Sequence, residues 1–128
     1  MDVAILLFDG FDELDAIGPF EVFENARGAG ADLTTTLRTL DDRATVTASH
    51  GLDVGVDGPL ADTDPDLLLV PGGGWNDRDT PGAWQAAEDG AVPEVVAAHH
   101  AAGGQVAGVC TGGGLLSRAG VRAGRRGG

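Results

Sequence analysis

Three short apolar runs punctuate an otherwise polar, glycine-rich chain. Val3-Ala4-Ile5-Leu6-Leu7-Phe8 is continuous and is closed by Asp9-Gly10; Asp66-Leu67-Leu68-Leu69-Val70 stops at Pro71-Gly72-Gly73-Gly74; and Gln105 to Val109 follows Gly103-Gly104. Runs of this length, bounded by turn residues, fit strands buried on both faces. Between them the pattern changes. Gly18-Pro19 reads as a helix start, because proline is favoured at the first helical position and Glu21 suits the positive end of the helix. The expected helix runs from Pro19 to about Arg27, turns Phe20, Phe23 and Ala26 inward, and ends at Gly28-Ala29-Gly30. Asp32 to Leu40 and Ala44 to Thr47, rich in threonine and valine, predict short strands or a hairpin around Asp41-Asp42. Leu52 to Val56 alternates polar and apolar residues, as a half-exposed strand does. Pro81 to Ala87 and Pro93 to Ala102 predict helices, the second capped by Gly103-Gly104, and Thr111 to Ala119 predicts a last helix.

Apolar strands alternating with helices specify an α/β fold: a doubly wound, mostly parallel, flavodoxin-like sheet with helices on both faces. Ligands bind such sheets at the carboxyl ends of the strands. Three segments meet there: Asp9 to Gly18, Pro71 to Trp75, and the segment around Cys110. The 128 residues read as one domain, with no internal repeat and no linker.

Composition removes several function classes. The net charge is −12, from 20 acidic residues against 8 basic ones, all arginine. Without lysine there is no Schiff-base chemistry and no Walker-type phosphate loop. The negative field opposes nucleic-acid binding through this chain. A salt-rich cytoplasm and a GC-rich genome explain the acidic, lysine-free composition equally well. The start Met1-Asp2-Val3 carries no leader pattern, and no apolar run approaches the ~20 residues of a membrane span. A cytoplasmic protein is expected.

The chemistry centres on Gly108-Val109-Cys110-Thr111-Gly112, which holds the one cysteine of the chain between two glycines directly after a strand. A nucleophile on a sharp strand-to-helix turn needs small residues two before and two after it. The turn would leave the sulfur at a helix N-terminus, where backbone N–H groups stabilise a thiolate and lower its pKa from about 8.5. A small buried apolar residue is the competing reading of a free cysteine; the flanking glycines favour the nucleophile. The amides of Gly72, Gly73 and Gly74 can approach a ligand closely and, with the N–H after Cys110, form an oxyanion hole; a plain turn is the alternative. No G-x-G-x-x-G follows the first strand, so a dinucleotide site is not expected. Asp12, Glu13 and Asp15 follow the first strand, and one of them beside the thiol could be held protonated by burial and the adjacent thiolate, acting as general acid. A solvated acidic loop is the alternative. His99 and His100, roughly 100° apart on a helix and near its C-terminus, read as surface or capping residues, and His50 as a loop residue. No metal-ligand spacing is present.

Three segments, Leu14-Asp15-Ala16-Ile17-Gly18-Pro19-Phe20-Glu21-Val22-Phe23, Asp66 to Gly74, and Ala107 to Gly112, together resemble the ThiJ/PfpI superfamily of the class I glutamine amidotransferase-like fold. The Asp-x-x-Gly-Pro signature and the threonine after the cysteine are similar to isocyanide hydratases, lyases that add water to an isocyanide carbon to give an N-substituted formamide. The resemblance implies Cys110 as nucleophile, Asp15 as its acid/base partner, Thr111 as a helper, Gly73 as oxyanion donor, and Gly72, Gly74 and Gly112 at the substrate. Protease-like members carry histidine where Thr111 stands, which argues against peptidase activity. Similar domains precede AraC-type DNA-binding domains, so a ligand-sensing role is a second expectation, and a redox or glyoxal-stress role a third, since a low-pKa thiolate is readily oxidised. The expected partners are a small-molecule substrate and a second copy of the chain, with no cofactor, metal or membrane. Because the family continues past Arg125-Arg126 with further strands and helices, the chain is expected to lack roughly the last third of the domain.

Overall fold

The computed structural model describes residues 1–72 and 91–108. The predicted helices over 81–87 and 111–119, and Gly73, Gly74, Cys110, Thr111 and Gly112, lie outside the described residues.

The first two apolar runs form the centre of a parallel sheet; the third, expected to be buried on both faces, is the end strand of the described sheet, and its residues are half-buried or exposed. Strands β1 (Asp2–Leu6), β2 (Thr34–Thr39), β5 (Gly58–Pro59), β6 (Leu67–Val70) and β7 (Gln105–Gly108) take the order β5-β2-β1-β6-β7. Every pairing among them is parallel, with Ile5 opposite Leu37 on one side and Leu69 on the other. The period of two divides the apolar side chains between the faces. Ala4, Leu6, Leu68 and Val70 pack with Val96 of helix α2 (Ala91–Ala101). Ile5, Leu7, Leu37 and Leu69 pack with Phe11, and with Ala16, Phe20 and Phe23 of helix α1 (Glu13–Gly28). Among the described residues one helix lies on each face of this sheet, which is why the central runs Val3–Leu6 and Leu67–Val70 can be apolar throughout.

Two sequence expectations are corrected. Helix α1 begins six residues before Pro19, because Asp12 caps it: its carboxylate accepts from Leu14 N–H at 3.0 Å, and Glu13 and Asp15 place negative charge in the first turn. Pro19 therefore lies inside the helix. The helix closes in a Schellman motif, with Ala31 N–H on the Ala26 carbonyl, Gly30 N–H on that of Arg27, and Gly30 at φ +107. The second correction concerns the hairpin. It joins β3 (Thr45–Thr47) to β4 (Asp53–Gly55), antiparallel, around Ser49–Leu52. Of the two readings of the stretch before it, short strands or a hairpin around Asp41-Asp42, the strands are present and that turn is not, because both edges of β2 are taken by parallel pairing, with β1 and β5. Val46, Ala48 and Val54 of this hairpin pack on the same face as α1.

Candidate functional site

The chain leaves β1 toward β2 on one side of the sheet and returns in β6 on the other. The switch point therefore lies between β1 and β6, the crevice where doubly wound folds bind ligands. Two segments line it among the described residues: Leu7 to Asp15 after β1, and Pro71-Gly72 after β6.

The first segment is folded by its own backbone. Phe11 N–H bonds the Phe8 carbonyl, and Gly10 adopts φ +84, a conformation glycine takes without strain. Phe11 turns into the core and is fully buried, anchoring the loop from below. The hairpin holds it from the side through Gly10 N–H on Thr47 O at 2.9 Å and Ser49 N–H on Phe11 O at 2.8 Å.

The helix start is then clasped to the exit of β6. Asp12 N–H donates to the Gly72 carbonyl at 2.8 Å, and Gly72 N–H donates to Asp15 Oδ2 at 3.3 Å. Asp15, in the first turn of α1, is 7% exposed. A carboxyl group this enclosed requires hydrogen-bond donors, and the Gly72 amide is one. Of the three acidic candidates after β1, Asp15 is thus the one turned inward. The Gly72 amide is thereby engaged with a protein carboxyl group. Asp12 serves as helix cap.

Glu13 turns the other way, onto the hairpin. Its carboxylate accepts from Ser49 Oγ at 3.1 Å and from His50 N–H at 2.9 Å, and pairs with His50 Nδ1 at 2.7 Å. Burial pushes the Glu13 carboxyl up, but these hydrogen bonds, from the His50 ring first, outweigh it and lower it to about 2. The imidazole of His50 is raised in turn, chiefly by its hydrogen bond to Glu13 and by that charge, with Asp12 adding to it. His50 is therefore an ion-pair partner rather than a plain loop residue. Beside them Arg43 bridges Asp9 at 3.0 Å and Asp41 at 2.8 Å, joining the exits of β1 and β2; its hydrogen bond holds the Asp41 carboxyl below the usual range.

His99, near the C-terminus of α2, contacts the carbonyl of Gln105 at the start of β7 through Nε2 at 3.1 Å, so it ties the helix to the next strand, while the last carbonyls of α2 are taken by the N–H groups of Ala102, Gly103 and Gly104. Among the described residues no group of three or more histidine, cysteine, aspartate or glutamate side chains could hold a metal ion, and no helix is long and apolar enough to cross a membrane. Sequence reasoning missed the Glu13–His50 pair and the Asp12–Gly72 bond, which join residues 37 and 60 positions apart. The Asp12 cap, by contrast, had a signal: an aspartate with two acidic residues, Glu13 and Asp15, among the next three, as in a first helical turn.

With this geometry in place, comparison with known proteins identifies the lineage. The model of the DJ-1/PfpI family matches residues 1–127. An uncharacterised protein from the 5′ region of cpoL in Streptomyces lividans is 37% identical over 130 residues, covering 97% of this chain and 83% of that protein. Among solved structures, oxidised DJ-1 from Toxoplasma gondii superimposes with TM-score 0.75 at 20% identity, over 96% of this chain and 63% of that one. A cysteine-to-alanine mutant of a DJ-1 superfamily protein from Salmonella typhimurium gives 0.75 at 23%, over 94% and 61%. An AraC family transcriptional regulator from Pseudomonas putida gives 0.69 at 27%, over 94% and 61%. This chain thus spans about three fifths of the solved structures it resembles. The parallel sheet with helices on both faces is theirs, and the chain belongs to the DJ-1/PfpI family.

Proposed function

We propose that this chain carries the site of a cysteine-dependent hydratase, with Cys110 as nucleophile, Asp15 as acid/base partner, Thr111 as helper at the elbow and Gly73 as oxyanion donor. Gly72, Gly74 and Gly112 would line the substrate. The observation that supports it most is the buried Asp15 carboxyl, bonded to Gly72 at the switch point of the sheet. Strand β7 lies next to β6 and ends at Gly108, two residues before Cys110 in the sequence.

The substrate class favoured is an isocyanide. The thiolate adds to the terminal carbon while the carboxyl group delivers a proton, giving a thioformimidate on sulfur. Water adds to that carbon, a second proton transfer leaves the nitrogen as NH, and the thiolate departs. The sum is isocyanide plus water to N-substituted formamide. A homodimer and a small-molecule partner belong to this reading.

The test is formamide formation from an alkyl or aryl isocyanide. Turnover by the wild type that is lost in Cys110→Ala and reduced at least about 100-fold in Asp15→Asn supports the reading, as expected when a general acid is removed. Full turnover in Cys110→Ala refutes covalent catalysis. A second reading, a ligand-sensing domain, is favoured by the likeness to the AraC family regulator. Tight isocyanide or small-ligand binding without turnover would select it.

A further inference from the structure

The first turn of α1 is anchored to two different elements through consecutive residues. Asp12 gives its N–H to Gly72 at the exit of β6, and Glu13 takes three hydrogen bonds from Ser49 and His50 in the turn of the β3–β4 hairpin. Asp15 follows two residues later, and Pro19 stands four residues after Asp15. Proline has no N–H, so the ladder of α1 lacks the bond that residue 19 would give to the Asp15 carbonyl, and Gly18 adds backbone freedom at the same point. The first turn thus takes less of its orientation from the rest of α1 than an uninterrupted helix would supply. The outer ties must supply it.

The two ties differ in reach. Asp12 and Gly72 fix the turn to the sheet edge on which Asp15 already leans. Glu13 fixes it to the hairpin, whose Val46 and Ala48 are buried in the same core as Phe11 and Ala16. Ser49 N–H also holds the Phe11 carbonyl just before the cap, so Glu13 is the tie through which the hairpin reaches the first turn itself; without it the turn could roll about its start and carry Asp15 away from the Gly72 amide.

We propose that Glu13 is a positioning residue: its carboxylate, gripped by Ser49 and His50, fixes the first turn of α1 to the β3–β4 hairpin and so keeps the Asp15 carboxyl on the Gly72 amide. Its consequence for catalysis rests on the reading of Asp15 as the acid/base partner; the positioning itself does not.

Amide hydrogen exchange on the 128-residue chain tests it, comparing wild type with Glu13→Ala and Glu13→Gln. Exchange at the Asp15 and Gly72 amides should rise about ten-fold in Glu13→Ala, with β1, β6 and the C-terminal half of α1 unchanged. Glu13→Gln, which keeps an oxygen for the His50 amide, should recover part of the protection. Unchanged exchange at both amides overturns the proposal, and so does a uniform rise throughout α1 and the hairpin, which means a loosened fold. The alkylation rate of Cys110 by iodoacetamide, read in Glu13→Ala and Asp15→Asn, separates the two readings. If both variants move it in the same direction, the positioning reaches the thiol. If Asp15→Asn leaves it unchanged while the exchange result holds, the acid/base reading of Asp15 fails and the positioning stands. If Asp15→Asn moves it and Glu13→Ala does not, the positioning does not reach the thiol and its consequence for catalysis is wrong.

Discussion

Replacing Phe11 by alanine should be among the most costly single changes in the described part of the chain. The ring is fully buried and packs in the cluster of Ile5, Leu7, Ala16, Leu37, Val46, Ala48 and Leu69, drawn from the sheet, α1 and the hairpin. Contacts from three elements leave little room for collapse into the void, so the upper part of the usual range, about 3–5 kcal/mol for Phe→Ala, applies. A domain of this size has about 5–15 kcal/mol in all, so the loss is a large fraction of the total. The comparison is Leu14→Ala on α1: Leu14 is 76% exposed, and its replacement should stay within about 0.5 kcal/mol. Urea unfolding followed by circular dichroism, with equal m-values, reads both. A loss below about 1 kcal/mol for Phe11→Ala, or one equal to that of Leu14→Ala, refutes the assignment of Phe11 as the anchor beneath the site loop.

The Glu13–His50 pair gives a pH signature. The Glu13 carboxyl, lowered from 4.5 to about 2, contributes stability that is present above about 4.5 and lost as pH falls toward 2, whereas the raised His50 contributes stability that is present below 6.5 and lost as pH rises through its folded value. The difference in Tm between wild type and His50→Ala should therefore be largest between about pH 4.5 and 6.5 and shrink on both sides; a difference that does not vary with pH contradicts the ion pair. Thr35, 9% exposed on β2, has a buried hydroxyl with no hydrogen-bond partner among the described residues; Thr35→Val should be neutral or stabilise by up to about 1 kcal/mol in urea unfolding, and a clear loss would reveal a partner. Gly30→Ala should cost about 1 kcal/mol by thermal unfolding, for conformation alone, since a Cβ there meets no atom within 4 Å while φ is +107; a neutral result contradicts the Schellman closure.

The sheet was legible because strands buried on both faces leave unbroken apolar runs, and Val3 to Leu7 and Leu67 to Val70 are such runs. The start of α1 was not, because Gly18-Pro19 imitates a helix beginning. The Asp12 cap and the bonds from Gly72 and the hairpin carry the helix six residues further back, past a proline that local propensity would place at its first turn. The hairpin, one of two expectations for this stretch, failed for a similar reason: Asp41-Asp42 has turn chemistry, but both edges of β2 are paired in parallel, with β1 and β5, a choice made by tertiary structure. At the site, residue chemistry alone left Asp12, Glu13 and Asp15 level and only the Asp-x-x-Gly-Pro resemblance named Asp15, which is the buried one of the three. The Glu13–His50 tie had no local trace, since it joins residues 37 positions apart.

The central claim is a reactive thiolate at Cys110 partnered by Asp15. Its most direct test is the rate of Cys110 alkylation by iodoacetamide as a function of pH, in wild type and in Asp15→Asn. The account predicts a wild-type midpoint well below the about 8.5 of a free cysteine and a displaced midpoint in Asp15→Asn. A wild-type midpoint at or above 8.5, or identical curves for the two proteins, would contradict it.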